Sequence, residues 1–286
     1  MKNQVKLKSY GWLGLILIAF AEVNLIVQHT AHHPIAHAIS IWTTPICWWG
    51  YIFFIDALIF KLKQNSLISN RRREFLFQIP LSVLFWLIFE VYNLHLKNWR
   101  YEGLPENPII LGLGLFVSFA TIMPALFLTA ELIETLGIFK HIGIAQLRIS
   151  NRIIYGGVIL GLLFTITPLL FEREYAKYMF ALVWVGFVFL IDPLVYCSGG
   201  DSLLKELESG KLNKILSLFI GGYICGILWE FWNYWAAAKW IYSAPFTQDI
   251  KIFEMPLAGF LGFGPFAWEY YVLFGLTKLI IPVKKA

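Results

Sequence analysis

Eight long apolar stretches constrain this chain of 286 residues more than any other feature. A helix needs about 20 mostly apolar residues to cross about 30 Å of hydrocarbon. The stretches that qualify are roughly 11–29, 39–62, 75–97, 109–136, 151–171, 177–197, 213–235 and 252–282. Hydrophobic residues make up 58% of the chain and charged residues 14%, which leaves too little polar surface to coat a soluble globule. The sequence therefore predicts an all-α, polytopic membrane protein with about eight transmembrane helices, and it excludes a soluble enzyme or a disordered hub.

The Lys and Arg residues are distributed unevenly among the predicted loops. With the N-terminus inside, 17 of the 23 fall in inside segments. Cytoplasmic loops of membrane proteins carry an excess of Lys and Arg. We therefore expect both termini in the cytoplasm and the protein in a bacterial inner (plasma) membrane. The net charge of +5 reflects this clustering at helix ends and does not indicate a nucleic-acid partner.

The spans repeat along the chain at a nearly constant offset. Trp48–Leu58 matches Trp184–Leu194 at six of eleven positions, with an offset of 136. Phe89–Asn93 matches Trp229–Asn233 at an offset of 140, including the Glu and the Asn. Matches of acids and amides inside apolar spans are much less frequent by chance than matches of aromatic residues. The sequence therefore indicates an internal duplication.

The duplication divides the chain into two units. We predict a first four-helix repeat over 1–136, a basic cytoplasmic linker over 137–150 and a second four-helix repeat over 151–286. Because each unit has an even number of helices, the repeats are parallel and are related by a pseudo-two-fold axis along the membrane normal.

Two glutamates inside the spans are the main candidates for chemistry. Glu90 and Glu230 are followed by Asn93 and Asn233 at i, i+3, which places each pair on one helix face. A buried carboxylate is costly in hydrocarbon, so each is a functional candidate by default. We interpret Glu230 and Glu90 as catalytic acids that the two asparagines orient. The alternative is that each Glu–Asn pair only holds its helix against a neighbour.

Further acids and aromatic residues belong to the same hypothesis. No Lys or Arg lies in the middle of a span, so we expect the carboxyl groups to be protonated, hydrogen-bonded or in contact with water. A neutral carboxylic acid among aromatic rings is suited to protonating an alkene and shielding a carbocation. The expected substrate-binding residues are Trp229, Trp232, Trp240, Tyr242, Trp99, Tyr101, Glu269, Glu131, Asp192 and Asp56.

Some of these residues have structural alternatives. Asp56 and Asp192 lie near membrane faces, where helix capping or contact with water is as good an explanation as function. The Trp-x-Tyr pairs at 99–101 and 240–242 are also typical of interfacial anchors.

The predicted outside loop contains His29, His32 and His33, a fragment of the histidine boxes of membrane di-iron oxygenases. The chain has only six histidines, too few for that class. We predict no metal and no other cofactor. A single surface zinc site at these three residues stays open as an alternative, because three imidazoles are enough for Zn²⁺.

The order of motifs resembles the bacterial and archaeal carotenoid (lycopene) cyclase domain, an all-helical tandem membrane unit. The matching segments of the first repeat are Phe54–Asp56, Tyr92–Asn93, Trp99–Tyr101 and Met123–Glu131, and those of the second are Leu190–Asp192, Trp232–Asn233 and Trp240–Tyr242. The resemblance implies the tandem fold and an isoprenoid or carotenoid substrate.

The chain departs from that family at one motif. The family's Pro-x-Glu-Glu, with its presumed acid, is replaced by Pro108–Leu111 and Pro256–Gly259. The resemblance therefore supports the fold but not lycopene cyclase activity itself, and a proton donor would have moved to Glu90 or Glu230.

The leading hypothesis is a membrane protein with a lipid-accessible cavity that binds an isoprenoid or another long apolar lipid and acts on it as a cyclase- or isomerase-like enzyme. One alternative is a proton-coupled transporter, in which the same acids titrate during alternating access. Another is a non-catalytic membrane subunit that docks through its outside aromatic loops. A homo-oligomer is compatible with each.

Overall fold

The computed structural model describes residues 6–281, and this part of the chain is mostly helical. Several positive charges used for orientation (Lys2, Lys284 and Lys285) lie outside the described residues. The helices are α1 (Ser9–Ala31), α2 (Pro34–Ser40), α3 (Thr43–Lys63), α4 (Leu67–Asn70), α5 (Arg72–Leu96), α6 (Pro108–Phe119), α7 (Ile122–Leu136), α8 (Asn151–Leu170), α9 (Arg173–Ala176), α10 (Phe180–Cys197), α11 (Leu203–Glu208), α12 (Asn213–Trp235) and α13 (Phe263–Ile280).

Four short strands interrupt the helices. They are β1 (Trp99–Glu102), β2 (Lys239–Tyr242), β3 (Lys251–Ile252) and β4 (Met255–Pro256), and a 3₁₀ helix (Leu257–Gly262) precedes α13. The strands β1 and β2 contain the two Trp-x-Tyr motifs, for which the sequence predicts substrate-binding residues or interfacial anchors and no strand.

Seven of the described helical segments are long and apolar enough to cross a membrane: α1, α3, α5, α6 together with α7, α8, α10 and α12. This confirms the prediction of an all-α membrane protein. The eighth predicted span, 252–282, is not one continuous helix, because it begins with β3, β4 and the 3₁₀ helix. The prediction of eight spans is therefore not confirmed, although α13 packs inside the bundle against α10 and α12.

The fourth predicted span breaks between α6 and α7. Pro124 is the third residue of α7, a place where its missing N–H costs little because the first-turn N–H groups have no helical partner. Ser82 of α5 bonds the backbone on both sides of the break. Its hydroxyl donates to the Phe119 carbonyl at 2.5 Å and accepts from the Met123 N–H at 2.9 Å. Pro265 is likewise the third residue of α13. Backbone groups freed inside a membrane need such internal partners.

Glycines bring helices into close contact within each half of the chain. Gly14 of α1 faces Gly50 of α3, where an added Cβ would lie 2.4 Å from the Gly50 carbonyl oxygen. Gly186 of α10 matches Gly50 at the offset of 136 and packs against Thr165 of α8. A Cβ added at Gly186 would lie 2.9 Å from the Thr165 Cγ2 atom. Small residues allow the backbone contact on which helix association in lipid depends.

One end of the bundle, called the basic end below, carries α4, α11 and the linker. Here Asp56 accepts hydrogen bonds from the Ile68 N–H (2.8 Å) and the Ser66 hydroxyl (2.8 Å), at the start of α4. Asp192 accepts from the N–H groups of Leu203 (2.7 Å) and Leu204 (2.8 Å), at the start of α11. The two matched aspartates therefore cap matched short helices, as the structural alternative proposed.

The opposite end, called the ribbon end, is closed by the antiparallel pair of β1 and β2. Trp99 lies opposite Tyr242, and Tyr101 lies opposite Trp240. Because Trp99 matches Trp240 and Tyr101 matches Tyr242, the Trp of each motif lies opposite the Tyr of the other. Matched residues of the two halves therefore make matched contacts at both ends of the bundle.

Replacing Asp192 by Ala should expose the start of α11. Two N–H groups would lose their acceptor, and each costs about 1–3 kcal/mol when it is left without a partner. We expect a lower unfolding temperature in detergent and faster amide exchange at Leu203 and Leu204. Lys205→Ala, at an exposed position on α11, is the matched control and should leave both measurements near wild type.

Replacing Gly222 of α12 by Ala should destabilise the bundle. The new Cβ would lie 2.2 Å from the Phe263 carbonyl oxygen, so α12 and α13 would have to separate. Overpacking of this kind costs about 1–3 kcal/mol. Gly156→Ala on α8 is the control, because the added Cβ would have no atom of another element within 4 Å. This variant should be neutral or slightly stabilising in the same thermal unfolding assay.

Candidate functional site

An apolar cavity of about 580 Å³ lies in the half of the bundle nearest the ribbon. Its walls come from both halves of the chain: the first turns of α3, the last turns of α5 and α12, the α6 helix, the start of α10, both strands of the ribbon and the segment 255–266. Aromatic side chains dominate the lining. Its size and lining are typical of small-molecule sites, which cover about 300–1,000 Å³.

Glu230 is the carboxyl group in this lining. It projects from α12 and is completely buried. Its Oε1 atom accepts a hydrogen bond from the Tyr242 hydroxyl at 2.9 Å, and that hydroxyl accepts in turn from the Trp240 Nε1–H at 2.8 Å. Its Oε2 atom is buried and has no hydrogen-bond partner. One oxygen of Glu230 is thus held by the ribbon, and the other is buried without a hydrogen bond.

Glu90, the matched residue of the first half, has a different environment. Its Oε1 atom accepts from three donors: Trp86 Nε1 at 2.9 Å, Trp99 Nε1 at 3.1 Å and the Tyr101 hydroxyl at 2.5 Å. Glu90 itself is not part of the cavity lining, although these three neighbours are. Its carboxyl group therefore serves as an acceptor that ties α5 to the ribbon.

The difference between the two glutamates has a local cause. The residue that matches Trp86 in the second half is Gly226, one helical turn before Glu230. An added Cβ at Gly226 would lie 2.2 Å from the ring of Phe263, which lines the cavity. The second half therefore has a phenylalanine ring where the first half has an indole N–H donor.

The two ribbon tyrosines act as donors. Burial raises the pKa of Tyr101 and of Tyr242 well above the ordinary value, and the neighbouring carboxylates raise it further. Both phenols therefore keep their protons at neutral pH and donate them in hydrogen bonds.

Asn93 and Asn233 do not contact the glutamates as we expected. The Asn233 side chain bonds the backbone of Trp240 twice, through Nδ2 to the carbonyl and through Oδ1 to the N–H, both at 2.8 Å. Asn93 bonds the Trp99 carbonyl at 2.9 Å and the N–H groups of Asn98 and Trp99. Each amide therefore positions a strand of the ribbon, and the strand then supplies the tyrosine that reaches the carboxyl group.

The structure sorts the expected substrate-binding residues into two groups. Those that line the cavity are Trp229, Trp240, Tyr242, Trp99 and Tyr101; those that do not are Trp232, Glu269, Glu131, Asp192 and Asp56. Trp232 is buried instead against Trp48, with ring centroids 5.0 Å apart, and donates to Glu22 at 2.8 Å.

The expectation that the acids inside the predicted spans lack positive partners is wrong for three of them. Glu134 pairs with Lys214 at 2.6 Å. Glu131 pairs with Arg71 at 2.5 Å and with Lys63 at 2.8 Å, at the basic end of the bundle. Glu254 pairs with Lys239 at 2.8 Å beside the ribbon. The basic partners come from the ends of helices and from strands, which a count of charges in the middle of the spans did not include.

Glu269 is isolated. It is completely buried on α13, and neither carboxyl oxygen has a hydrogen-bond partner. It contributes nothing to the cavity lining.

Several lining residues were not predicted as site residues. Trp42, Trp48, Trp86 and Trp184 all contribute rings to the cavity. A signal for two of them was present, because Trp48 and Trp184 match at the offset of 136 that identified the duplication.

The histidine loop is not assembled into a metal site. His29 contacts the Trp235 carbonyl at 3.1 Å, whereas His33 accepts from the Ile35 N–H at 3.2 Å. Across residues 6–281, no group of three or more His, Cys, Asp or Glu side chains is placed to hold a metal ion.

Comparison with protein-family models, with curated proteins and with solved structures finds no match to this chain.

Replacing Asn233 by Ala should loosen the ribbon and the cavity together. The Trp240 N–H and carbonyl would both lose their partner, at a cost of about 1–3 kcal/mol for each buried group that stays unpaired. We expect a lower unfolding temperature, with Asn233→Asp intermediate because it keeps the acceptor. Asn213→Ala on the same helix is the control, since the Asn213 side-chain oxygen has no hydrogen-bond partner to lose.

Proposed function

We propose that this protein is a membrane enzyme that binds an isoprenoid or a similar long apolar molecule and protonates it from Glu230. One observation carries the proposal. In an apolar, aromatic cavity, Glu230 has one oxygen held by Tyr242 and one buried oxygen without a partner. A carboxyl group in this setting is suited to general acid catalysis on a substrate that offers no strong base.

The proposed reaction is redox-neutral. Because Oε1 accepts from Tyr242, the acidic proton of Glu230 would be carried on Oε2. Its transfer to an alkene carbon forms a C–H bond and a carbocation, and leaves a carboxylate that Tyr242 stabilises. Ring closure or a double-bond shift then ends with loss of a proton from carbon to the same carboxylate. The rings of Trp229 and Trp240 would stabilise the cation through their π faces.

Access for such a substrate would be from the lipid beside α6. This helix contributes Leu111, Gly114, Leu115 and Ser118 to the cavity lining, yet none of its residues is buried. A wall one helix thick thus separates the cavity from the surroundings of the bundle.

The family resemblance, the repeat arrangement and the membrane location belong to the same proposal. The resemblance to carotenoid cyclase domains and the two parallel four-helix repeats are consistent with the matched contacts of the two halves. The excess of Lys and Arg in the predicted inside segments supports a bacterial inner membrane with both termini in the cytoplasm.

A proton-coupled transporter is the second candidate. Glu269 favours it, because a completely buried acid without a hydrogen-bond partner is typical of proton-carrying sites in membranes. The apolar lining of the cavity argues for the enzyme, since an ion or a polar solute would find few partners there. No observation favours the non-catalytic subunit.

Glu230→Gln should abolish turnover and leave the protein folded. The amide keeps the shape of the side chain and the bond from Tyr242, but it has no acidic proton to transfer. The measurement is mass spectrometry of lipids that copurify with wild type and variant. We expect one isoprenoid enriched in both samples and a modified form of it only with the wild type.

Glu90→Gln is the matched control in the other half. Because Glu90 accepts three hydrogen bonds and does not line the cavity, this variant should lower the unfolding temperature but retain the product. Wild-type product yield from Glu230→Gln would refute the proposed role of Glu230. Absence of an enriched lipid from every sample would favour the transporter.

A further inference from the structure

Two lysines line the otherwise apolar cavity, and they differ in their partners. Lys239 is paired with Glu254 at 2.8 Å. Lys177, in the connection between α9 and α10, is partly exposed and takes part in no ion pair within residues 6–281. The cavity wall therefore carries one accessible ammonium group that has no acidic partner in the described chain.

Lys177 lies at the ribbon end of the cavity, where the wall reaches the surface. Its carbonyl accepts a hydrogen bond at 2.9 Å from the side chain of Asn98, the residue before β1. Two other lining residues, Tyr178 and Phe246, are 47% and 50% exposed, and their ring centroids lie 5.3 Å apart. The Lys177 Nζ atom lies 5.3 Å from the centroid of the Tyr178 ring. Lys177, Tyr178 and Phe246 thus form a rim between the cavity and the surface.

A second lysine lies next to this rim. Lys97 precedes Asn98, the residue that bonds Lys177, and it is exposed. Its carbonyl accepts from the Ser243 hydroxyl at 2.7 Å, so the end of α5 and the segment after β2 meet here. Lys97 also has no ion-pair partner in the part of the chain that the structure describes. A surface of one charge sign attracts ligands of the opposite sign, so the rim favours an anion.

A series of ring contacts leads from the rim to the proposed acid. Phe180, three residues after Lys177, contacts the Trp99 ring, with centroids 5.1 Å apart. The series continues through rings that all line the cavity, with centroid distances of 5.8, 6.0 and 5.9 Å: Trp99 to Trp86, Trp86 to Phe266, and Phe266 to Trp229. Trp229 is the residue before Glu230. A long apolar chain can therefore lie along these rings while one of its ends stays at the rim.

We infer that the molecule taken by this cavity is an amphiphile, a long apolar chain with an anionic head group, carboxylate or phosphate, that pairs with Lys177. The inference rests on the proposed function and narrows its substrate class from isoprenoid hydrocarbons to isoprenoids with an acidic head group. Hydrogen bonds between an ammonium group and an anion are about twice as strong as those between neutral groups. The head group would stay at the rim, and the chain would lie in the aromatic cavity that Glu230 lines.

The route of entry beside α6 suits such a molecule. This helix begins at Pro108, six residues after β1, and therefore runs inward from the ribbon end. A lipid that moves sideways through one leaflet keeps its head group at the membrane surface. Its chain could thus pass α6 while its head group reaches Lys177.

The test compares probes that share one chain and differ in the head group. Full-length protein in an uncharged detergent is titrated with tritiated geranylgeraniol, geranylgeranyl phosphate and geranylgeranoic acid, and binding is measured by scintillation proximity. Wild type should bind at least one of the two acids about tenfold more tightly than the alcohol, as expected for one charge-assisted hydrogen bond. The tighter acid identifies the head group. Added salt should reduce the preference, because the rim is partly exposed.

Variants of Lys177 locate the contact. Lys177→Gln should weaken binding of the preferred acid about tenfold and leave binding of the alcohol unchanged, and the unchanged affinity for the alcohol shows that the variant is folded. Lys177→Arg keeps the charge and should retain most of the preference. Lys251→Gln is the matched control, since Lys251 is an exposed lysine on β3 that does not line the cavity.

The outcomes separate this inference from the proposed function. Equal affinity of wild type for the alcohol and both acids would overturn the inference and leave the isoprenoid site intact. A preference for an acid that survives Lys177→Gln would also overturn it, because the head group would then bind elsewhere. Binding of none of the probes would reject the proposed substrate class together with the inference.

Discussion

The hydrogen-bonded pairing of β1 with β2 is the interaction on which the ribbon end of this protein depends. The two strands come from different halves of the chain, and buried asparagines at the ends of α5 and α12 hold their backbones. From this position the ribbon delivers one tyrosine hydroxyl to Glu90 and one to Glu230. Loss of the ribbon would therefore open the cavity and leave both carboxyl groups without their phenol donors.

In both halves a ribbon tyrosine donates to a glutamate, but the two glutamates differ in their other hydrogen-bond partners. In the first half, two indole N–H groups join the phenol in donating to Oε1 of Glu90. In the second half, Gly226 replaces the matched Trp86, and the Phe263 ring occupies the space beside it. Two matched positions of the sequence thus both hold a glutamate, and one local difference in side chains leaves Glu230, but not Glu90, in the cavity lining with an unpaired oxygen.

The cost of burying polar atoms also explains the acids that do not line the cavity. Asp56 and Asp192 accept backbone N–H groups at the starts of short helices, and Glu131 is paired with two basic residues. These groups stabilise the basic end. Glu269 is the exception, since it is completely buried and has no hydrogen-bond partner.

The sequence by itself determined the membrane class, most helix positions and the matched acids, because hydrophobic length and residue identity are local properties of a chain. The eight-span count and the repeat boundaries stay predictions. Only the tertiary structure decided the pairing of the Trp-x-Tyr segments, the roles of Asn93 and Asn233, and which glutamate lines the cavity. The physical reason is that a hydrogen bond or an ion pair depends on which segments meet, and residues such as Tyr242 and Glu230, or Arg71 and Glu131, meet only after the bundle has formed.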